Sequence, residues 1–180
     1  LHKNRENKKL VGLHPQWEEK FKKLKFDNTD SLALYYRRIS INYYVLQLDK
    51  ESKEYIIKAI DLRKSKNLQP TELAKDYNYL SNIYIVEKDF TNALEVLEKA
   101  LVITDNDTVK SNLHQNLSLC YRQINDLQES LKHIDLCILL NNKIMGENSV
   151  ASFVNKLVKA QIQIDLNLLN PAIDALKDIE

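Results

Sequence analysis

Asn78 and Asn82 stand four residues apart, and Asn112 and Asn116 repeat that interval further along the chain. Residues four apart on a helix project from one side, so each pair presents two primary amides together. A primary amide both donates and accepts hydrogen bonds, as a peptide backbone does. A ladder of such groups suits an extended chain whatever its side chains, at about 1 kcal/mol net per bond. Gln115 extends the set, Ile85 and Leu119 add apolar surface, and Arg37 and Arg122 add cations able to pair with a carboxylate. Ile41 in the first unit and Leu157, Val158, Gln161 and Asp165 in the last occupy the matching helix face. These residues offer recognition of a peptide rather than the making or breaking of bonds.

The other reactive side chains do not assemble into catalysis. His2, His14, His114 and His133 show no metal-ligand spacing, and no metal site is expected. Asp105, Asn106 and Asp107 lack the central glycine and the bidentate glutamate of a calcium loop, so they read as a helix-capping turn. Only Gly12 and Gly146 occur in 180 residues. Phosphate-cradling loops, dinucleotide turns and nucleophile elbows need glycine where backbone is strained or closely approached, and are excluded. Cys120 and Cys137 lie on apolar backgrounds and read as buried free thiols, which leans toward a reducing, cytoplasmic setting. No cofactor is implied, and the chain is not expected to be an enzyme.

Lys plus Arg (26) nearly cancels Asp plus Glu (25), leaving no overall field to recruit nucleic acid or an anionic membrane. Residues 1–25 are locally basic, but they lack the aromatic platform or reading helix that nucleic-acid recognition needs. They read as a solvated helix face. No run of 18 apolar residues is present, so no membrane insertion is expected.

The elements that must position these groups are helices, arranged in repeats. Tyr77, Leu80, Ser81 and Tyr84 are followed by Ala93, Leu97 and Ala100. His114, Leu117, Ser118 and Tyr121 are followed by Ser130, Ile134 and Cys137, and Tyr36, Ile39, Ser40 and Tyr43 by Ser52, Ile56 and Ala59. Tyr43 to Tyr84 is 41 residues and Tyr84 to Tyr121 is 37; Ser52, Ala93 and Ser130 keep the same offsets, and Ala172 follows 42 later. Self-similarity at this period signals stacked helical hairpins. Small residues let backbones approach, and large ones fill the spaces between layers.

Helix boundaries follow from turn and cap chemistry. Trp17, Phe21 and Leu24 mark a short helix opened by Pro15. Asp30 or Thr29 caps a helix to about Leu48, Asp49–Glu51 turns, and a charged helix runs to about Lys66. Helices over about 70–87 and 91–103 follow, then one capped by Asp107 or Thr108. Asp126 and Glu129 have capping-box spacing, and 141–149 is the longest expected loop. The last pair covers about 150–166 and 171–180, with Gln163 where the pattern expects an aromatic.

These residues resemble the tetratricopeptide repeat. Tyr77, Leu80, Tyr84, Ala93 and Ala100 stand at its conserved positions, with Ser81 and Leu97 in place of its usual glycine and aromatic, and Lys88-Asp89-Phe90 where it favours Gly-Asp-Tyr. The spacings of 37 to 42 exceed its usual period of about 34, as in kinesin-light-chain-like arrays and bacterial signalling regulators. The resemblance implies an all-α, right-handed α-solenoid of about four antiparallel hairpins plus an N-terminal helix. The expected organisation is a basic segment with a short helix at 1–29, then units at about 30–67, 70–104, 107–141 and 147–180. It further implies a concave face, lined by the first helix of each hairpin, that captures a peptide or protein segment. The predicted peptide-binding residues are Arg37, Asn78, Asn82, Ile85, Asn112, Gln115, Asn116, Leu119 and Arg122. That function suits the sensory or regulatory part of a larger signalling protein, and the alternative is a self-association module forming a homo-oligomer through the apolar last helix, Ile173, Leu176 and Ile179, or through the Trp17 helix.

Overall fold

The computed structural model describes residues 2–24, 30–67 and 69–177, and every regular element among them is a helix. The order is α1 (His2–Lys23), α2 (Asp30–Val45), α3 (Asp49–Ser65), α4 (Pro70–Val86), α5 (Phe90–Ile103), α6 (Asp107–Gln123), α7 (Leu127–Met145), α8 (Val150–Asp165) and α9 (Leu169–Lys177). The pairs α2–α3, α4–α5, α6–α7 and α8–α9 are the four hairpins the repeats predict, each packed on the next.

Within a hairpin the helices cross where both side chains are small. The Ser40 hydroxyl donates to the Ser52 carbonyl at 2.6 Å, and the Ser52 hydroxyl returns a bond to the Ser40 carbonyl at 3.0 Å. In the third hairpin Ser130 donates to the Ser118 carbonyl at 2.8 Å. Ser81 with Ala93 and Ala160 with Ala172 occupy the same positions in the other two hairpins and are buried. A hydroxyl reaching the facing backbone is possible only where no larger side chain separates the helices. Around these crossings lie Leu97, Leu113, Leu117, Ile56, Ile83, Ile134 and Ile162, all fully buried. Tyr84 and Tyr121 pack against the central cluster instead of facing water.

The hairpin turns repeat as faithfully as the crossings. Gln47, Lys88, Asn125 and Asn167 have φ of 59°, 60°, 64° and 61°, so each first helix ends on a left-handed residue. The following amide then reaches back to the carbonyl of Tyr43, Tyr84, Tyr121 or Gln163 at 2.8–3.0 Å, a Schellman closure. Asp89 and Asp126 cap the next helix by accepting from the Asn92 and Glu129 amides. The chain thus achieves without glycine a turn that usually employs one.

Four boundaries differ from the sequence expectation. Helix α1 is 22 residues long with Pro15 inside it, not a short helix opened by that proline. Its inner side is docked on both sides of the proline: His14 is 2% exposed among Tyr35, Tyr43 and Tyr55, and Phe21 lies against Tyr35. Asp49–Glu51 form the first turn of α3, because Gln47 already makes the reversal. Helix α6 is capped by Asn106, whose side chain accepts from the Val109 amide, not by Asp107 or Thr108. Helix α7 runs through Asn141 to Met145, since Asn141 faces the core and accepts a 2.6 Å bond from Ser111; Gly146, at φ 87°, ends it. The expected cap Thr29 and the stripe residue Ile179 lie outside the described residues.

One feature of the core has no counterpart in the expected pattern. Arg63 and Asp76 are both 0% exposed, with Arg63 Nε 2.7 Å from Asp76 Oδ2. Arg37 adds a second guanidinium, 3.0 Å from Asp76 Oδ1 and 2.6 Å from Glu72 Oε2, and Asp30 meets Arg63 Nη1. This network ties α2, α3 and α4 together. Removing one partner strands a buried charge, so Asp76→Ala should cost about 3–5 kcal/mol.

Substitutions at the turn and at the crossing test the geometry. Replacing Lys88 with Gly relieves a left-handed side chain and should stabilise by about 0.5–1 kcal/mol, with a smaller gain for Asn125→Gly because asparagine tolerates that conformation. Replacing Ala93 with Leu should overpack the second crossing and destabilise by roughly 1–3 kcal/mol. Urea unfolding midpoints measure both, and equal midpoints for Ala93→Leu and the parent would contradict the close crossing.

Candidate functional site

Helix α4 packs on α6, whereas α3, α5 and α7 make no comparable contact with one another among the described residues. The second and third hairpins therefore approach more closely through their first helices than through their second. By repeat offset Asn78 corresponds to Gln115 and Leu157, Asn82 to Leu119 and Gln161, and Ile85 to Arg122.

Gln115, Asn116, Leu119 and Arg122 line one pocket of about 290 Å³ between α6 and α8, completed by Ser118, Ile134 and Val158. Ile85 and Leu119 meet in a neighbouring pocket of about 310 Å³ with Val86, Lys88, Phe90 and Gln123. Leu119, 40% exposed, is the ridge shared by the two. Ile134 is fully buried in the first pocket, Val158, Asn116 and Arg122 are half-buried, and Gln115 is exposed like Leu119.

The amides are partly engaged with one another. Asn116 Nδ2 donates to Asn78 Oδ1 at 3.0 Å and to Asn82 Oδ1 at 2.8 Å, stitching α6 to α4. The Nδ2 groups of Asn78 and Asn82, and Oδ1 of Asn116, take no partner among the described residues and are not buried. They remain available as two donors and an acceptor. Asn112 and Gln115 are exposed, and Asn112 lines neither pocket.

The two arginines are placed differently from a pair of open cations. Arg37 is 14% exposed and spent on Glu72 and Asp76, so it braces hairpins instead of facing a ligand. Arg122 reaches across to α8, with Nε and Nη2 at 3.0 and 2.7 Å from Asp165 Oδ2. Asp165 also accepts from Gln161 Nε2 at 3.0 Å, and the Gln161 and Arg122 bonds hold its carboxyl below the usual range. This pair is solvent-exposed, so an incoming carboxylate competes for Arg122 at a cost of about 1 kcal/mol or less.

Other positions were harder to foresee. A pocket of about 410 Å³ between α1 and α2 is lined by Leu10, Trp17, Phe21, Tyr35, Arg38, Ile39 and Asn42. Its signal was the Trp17–Phe21 spacing, which put Trp17 on a candidate self-association helix without marking a pocket. The Arg63–Asp76 pair had a signal too: Asp76 precedes Leu80 and Ile83 at core spacing, and Arg63 follows Ile56, Ala59 and Ile60. Cys120 and Cys137 are buried free thiols, as expected, and burial pushes Cys120 up to about 11. Among the described residues no group of three or more His, Cys, Asp or Glu is placed to hold a metal, and no helix is long and apolar enough to cross a membrane.

No protein-family model matches the sequence, and no curated protein matches it in sequence either. Solved structures do match. The apo form of RapI superposes with a TM-score of 0.84 at 15% identity, over 97% of this chain and 48% of that one. The TPR-like repeats of a Podosopora anserina kinesin light chain superpose with a TM-score of 0.78 at 15% identity, over 98% and 86%. Aspartyl phosphate phosphatase F from Bacillus subtilis gives 0.73 at 14% identity, over 83% and 39%. The fold is a tetratricopeptide-type solenoid. The chain spans about half the length of the RapI chain it matches, and identities this low carry the architecture alone.

Three histidines give the solenoid a definite response to acid. Burial is the main cause holding His14, His114 and His133 below their ordinary value, with His114 at about 4. The unfolded chain therefore binds more protons than the fold between about pH 6.5 and 4. Stability is fully present above pH 6.5 and falls as pH drops through that window. His114 accounts for roughly 1–2 kcal/mol of the loss once its partial exposure is allowed for. Urea midpoints at pH 7.5 and 4.5 should differ accordingly, with a shallower dependence in His114→Gln; identical midpoints would contradict it.

Proposed function

We propose that the chain is a protein-interaction module that seats a peptide or protein segment along the inner, first-helix face. The observation that carries this reading is the α6–α8 pocket, where the apolar Leu119, Ile134 and Val158 share one lining with the polar Gln115, Asn116 and Arg122. An aliphatic or aromatic side chain of the ligand enters the pocket, and apolar burial at about 25 cal/mol per Å² supplies most of the affinity. The free amide donors of Asn78 and Asn82 and the acceptor of Asn116 hold the ligand's backbone, fixing direction and register. Arg122 exchanges Asp165 for a carboxylate of the ligand. The module acts in a regulatory capacity within a larger signalling protein. No catalytic role is assigned, and the phosphatase named above lends only its architecture.

A second reading is self-association through the last hairpin. Phe153, Val154, Leu157, Leu169 and Ile173 are all exposed there, an apolar surface of the kind that marks interfaces. Sedimentation across a concentration series distinguishes an assembling chain from a monomeric binder.

Selection from a random phage-displayed dodecapeptide library provides the direct test. Peptides enriched on the parent chain should lose at least about tenfold in affinity with Leu119→Arg and about fivefold with Asn116→Ala, each bond being worth about 1 kcal/mol. Melting temperature should change little for Leu119→Arg. Selected peptides that bind the Leu119→Arg variant as tightly as the parent would place the site elsewhere.

A further inference from the structure

The pocket of about 410 Å³ between α1 and α2 shares no residue with the two pockets around Leu119. Its volume falls within the range of small-molecule sites. Three aromatic rings help to line it. Trp17 and Phe21 have centroids 6.4 Å apart at 36°, and Phe21 and Tyr35 have centroids 4.8 Å apart at 57°. Tilted rings at such spacings offer both faces and edges to a further aromatic group. Trp17 is 48% exposed and Leu10 50%, so apolar surface stands in water that a ligand would cover.

The charge of the lining has one sign. Among the described residues no Asp or Glu lines this pocket, whereas Glu18 and Asp61 line another that Phe21 also borders. Arg38 is exposed, and among the described residues its guanidinium has no ion pair, unlike Arg37, Arg63 and Arg122. Asn42 stands one turn further along the same side of α2, and its side-chain amide is likewise unpaired. The Tyr35 hydroxyl is already engaged with His14 Nδ1. Lys20 Nζ lies 5.1 Å from the Trp17 ring centroid and adds positive charge beside that ring. A guanidinium takes a carboxylate through two parallel N–H···O bonds. One guanidinium suits one carboxylate better than a phosphate dianion, because the backbone amides around Arg38 are spent within α2.

We propose that this pocket binds a small aromatic monocarboxylic acid. The ring system lies against Trp17, Phe21 and Tyr35, and the carboxylate pairs with Arg38 while Asn42 Nδ2 donates to it. Trp17 and Phe21 belong to α1, and Arg38 and Asn42 to α2, so the acid bridges α1 to the first hairpin. A ligand that binds only the docked arrangement stabilises it by mass action.

Calorimetric titration of the full chain with biphenylacetate tests this. One equivalent should bind, and the fluorescence of Trp17, the chain's one tryptophan, should change with the same midpoint. Affinity should be at least about tenfold lower for the neutral biphenylacetamide, and for the acid on Arg38→Gln, an exposed change that leaves melting unaltered. Decanoate, an acid without a ring, should bind more weakly than biphenylacetate. Leu119→Arg should leave acid binding unchanged, which separates this site from the peptide groove. No binding at about 5 mM acid, equal affinity for acid and amide, or equal affinity in the parent and Arg38→Gln would each overturn the proposal. So would decanoate binding as tightly as the aromatic acid, or loss of acid binding in Leu119→Arg. A Trp17 signal that follows chain concentration and ignores the acid would overturn it too, giving this surface to a second copy of the chain.

Discussion

Two helix backbones touching at a pair of small side chains is the contact on which the rest of this solenoid rests. The pairs are Ser40–Ser52, Ser81–Ala93, Ser118–Ser130 and Ala160–Ala172, always twelve residues apart in sequence. The left-handed turn residue falls seven positions after the first member and five before the second in every hairpin: Gln47, Lys88, Asn125 and Asn167. Fixing the crossing therefore fixes the loop, because only one reversal of that length closes onto so near a contact. The hydroxyls of Ser40, Ser52 and Ser130 add bonds to the facing carbonyls, which a methyl cannot do. Large residues at the flanking positions then have one depth of space to fill, and the next hairpin meets a defined surface.

Between the first two hairpins the structure buries a charge at a position where the next unit has Leu113 and the last has Asn155, both buried. Asp76 sits at a core position of α4 and is held by Arg63 from α3 and Arg37 from α2. Desolvating such a group costs more than burying a leucine of similar size, so the network is weak as a source of stability. Its effect is on register. A shift of α4 that brought Leu80 to the place of Asp76 would leave Arg63 buried without a carboxylate, whereas an apolar side chain would tolerate the slip. The network and the serine crossing thus constrain the same hairpin from two sides.

The repeat was legible in the sequence because it is written in side-chain size and aromaticity. The helices and their pairing could be read from Tyr43, Tyr84 and Tyr121 and from the small residues that follow each. What escaped was whatever tertiary contact decides. Pro15 signals a helix start in isolation, but the aromatic docking of His14 and Phe21 carries α1 straight through it. Asn141 signals a loop in isolation, but the Ser111 hydroxyl across the core makes it a helix residue. For the inner face, spacing showed which amides share a side and not which would bond one another. It placed Arg37 among open cations, where the facing Glu72 and Asp76 could be known only from the fold.

The internal bonds of Asn116 bear on how the inner face can bind. Its Nδ2 group satisfies two carbonyl oxygens on α4, which turns the Nδ2 groups of Asn78 and Asn82 outward and fixes the rotamers of all three. A free asparagine must give up rotamer freedom when a ligand orders it, and that entropy offsets much of a bond worth about 1 kcal/mol. Amides already held by a neighbouring helix have little left to lose. They also present a fixed polarity, donors on α4 and an acceptor on α6, so a backbone laid across them is satisfied in one direction and frustrated in the other. Arg122 behaves differently, since its bond to Asp165 must be broken before it serves a ligand. On the proposed reading Arg122 therefore adds little affinity for a charged guest and none for a neutral one, and Leu119 supplies the strength.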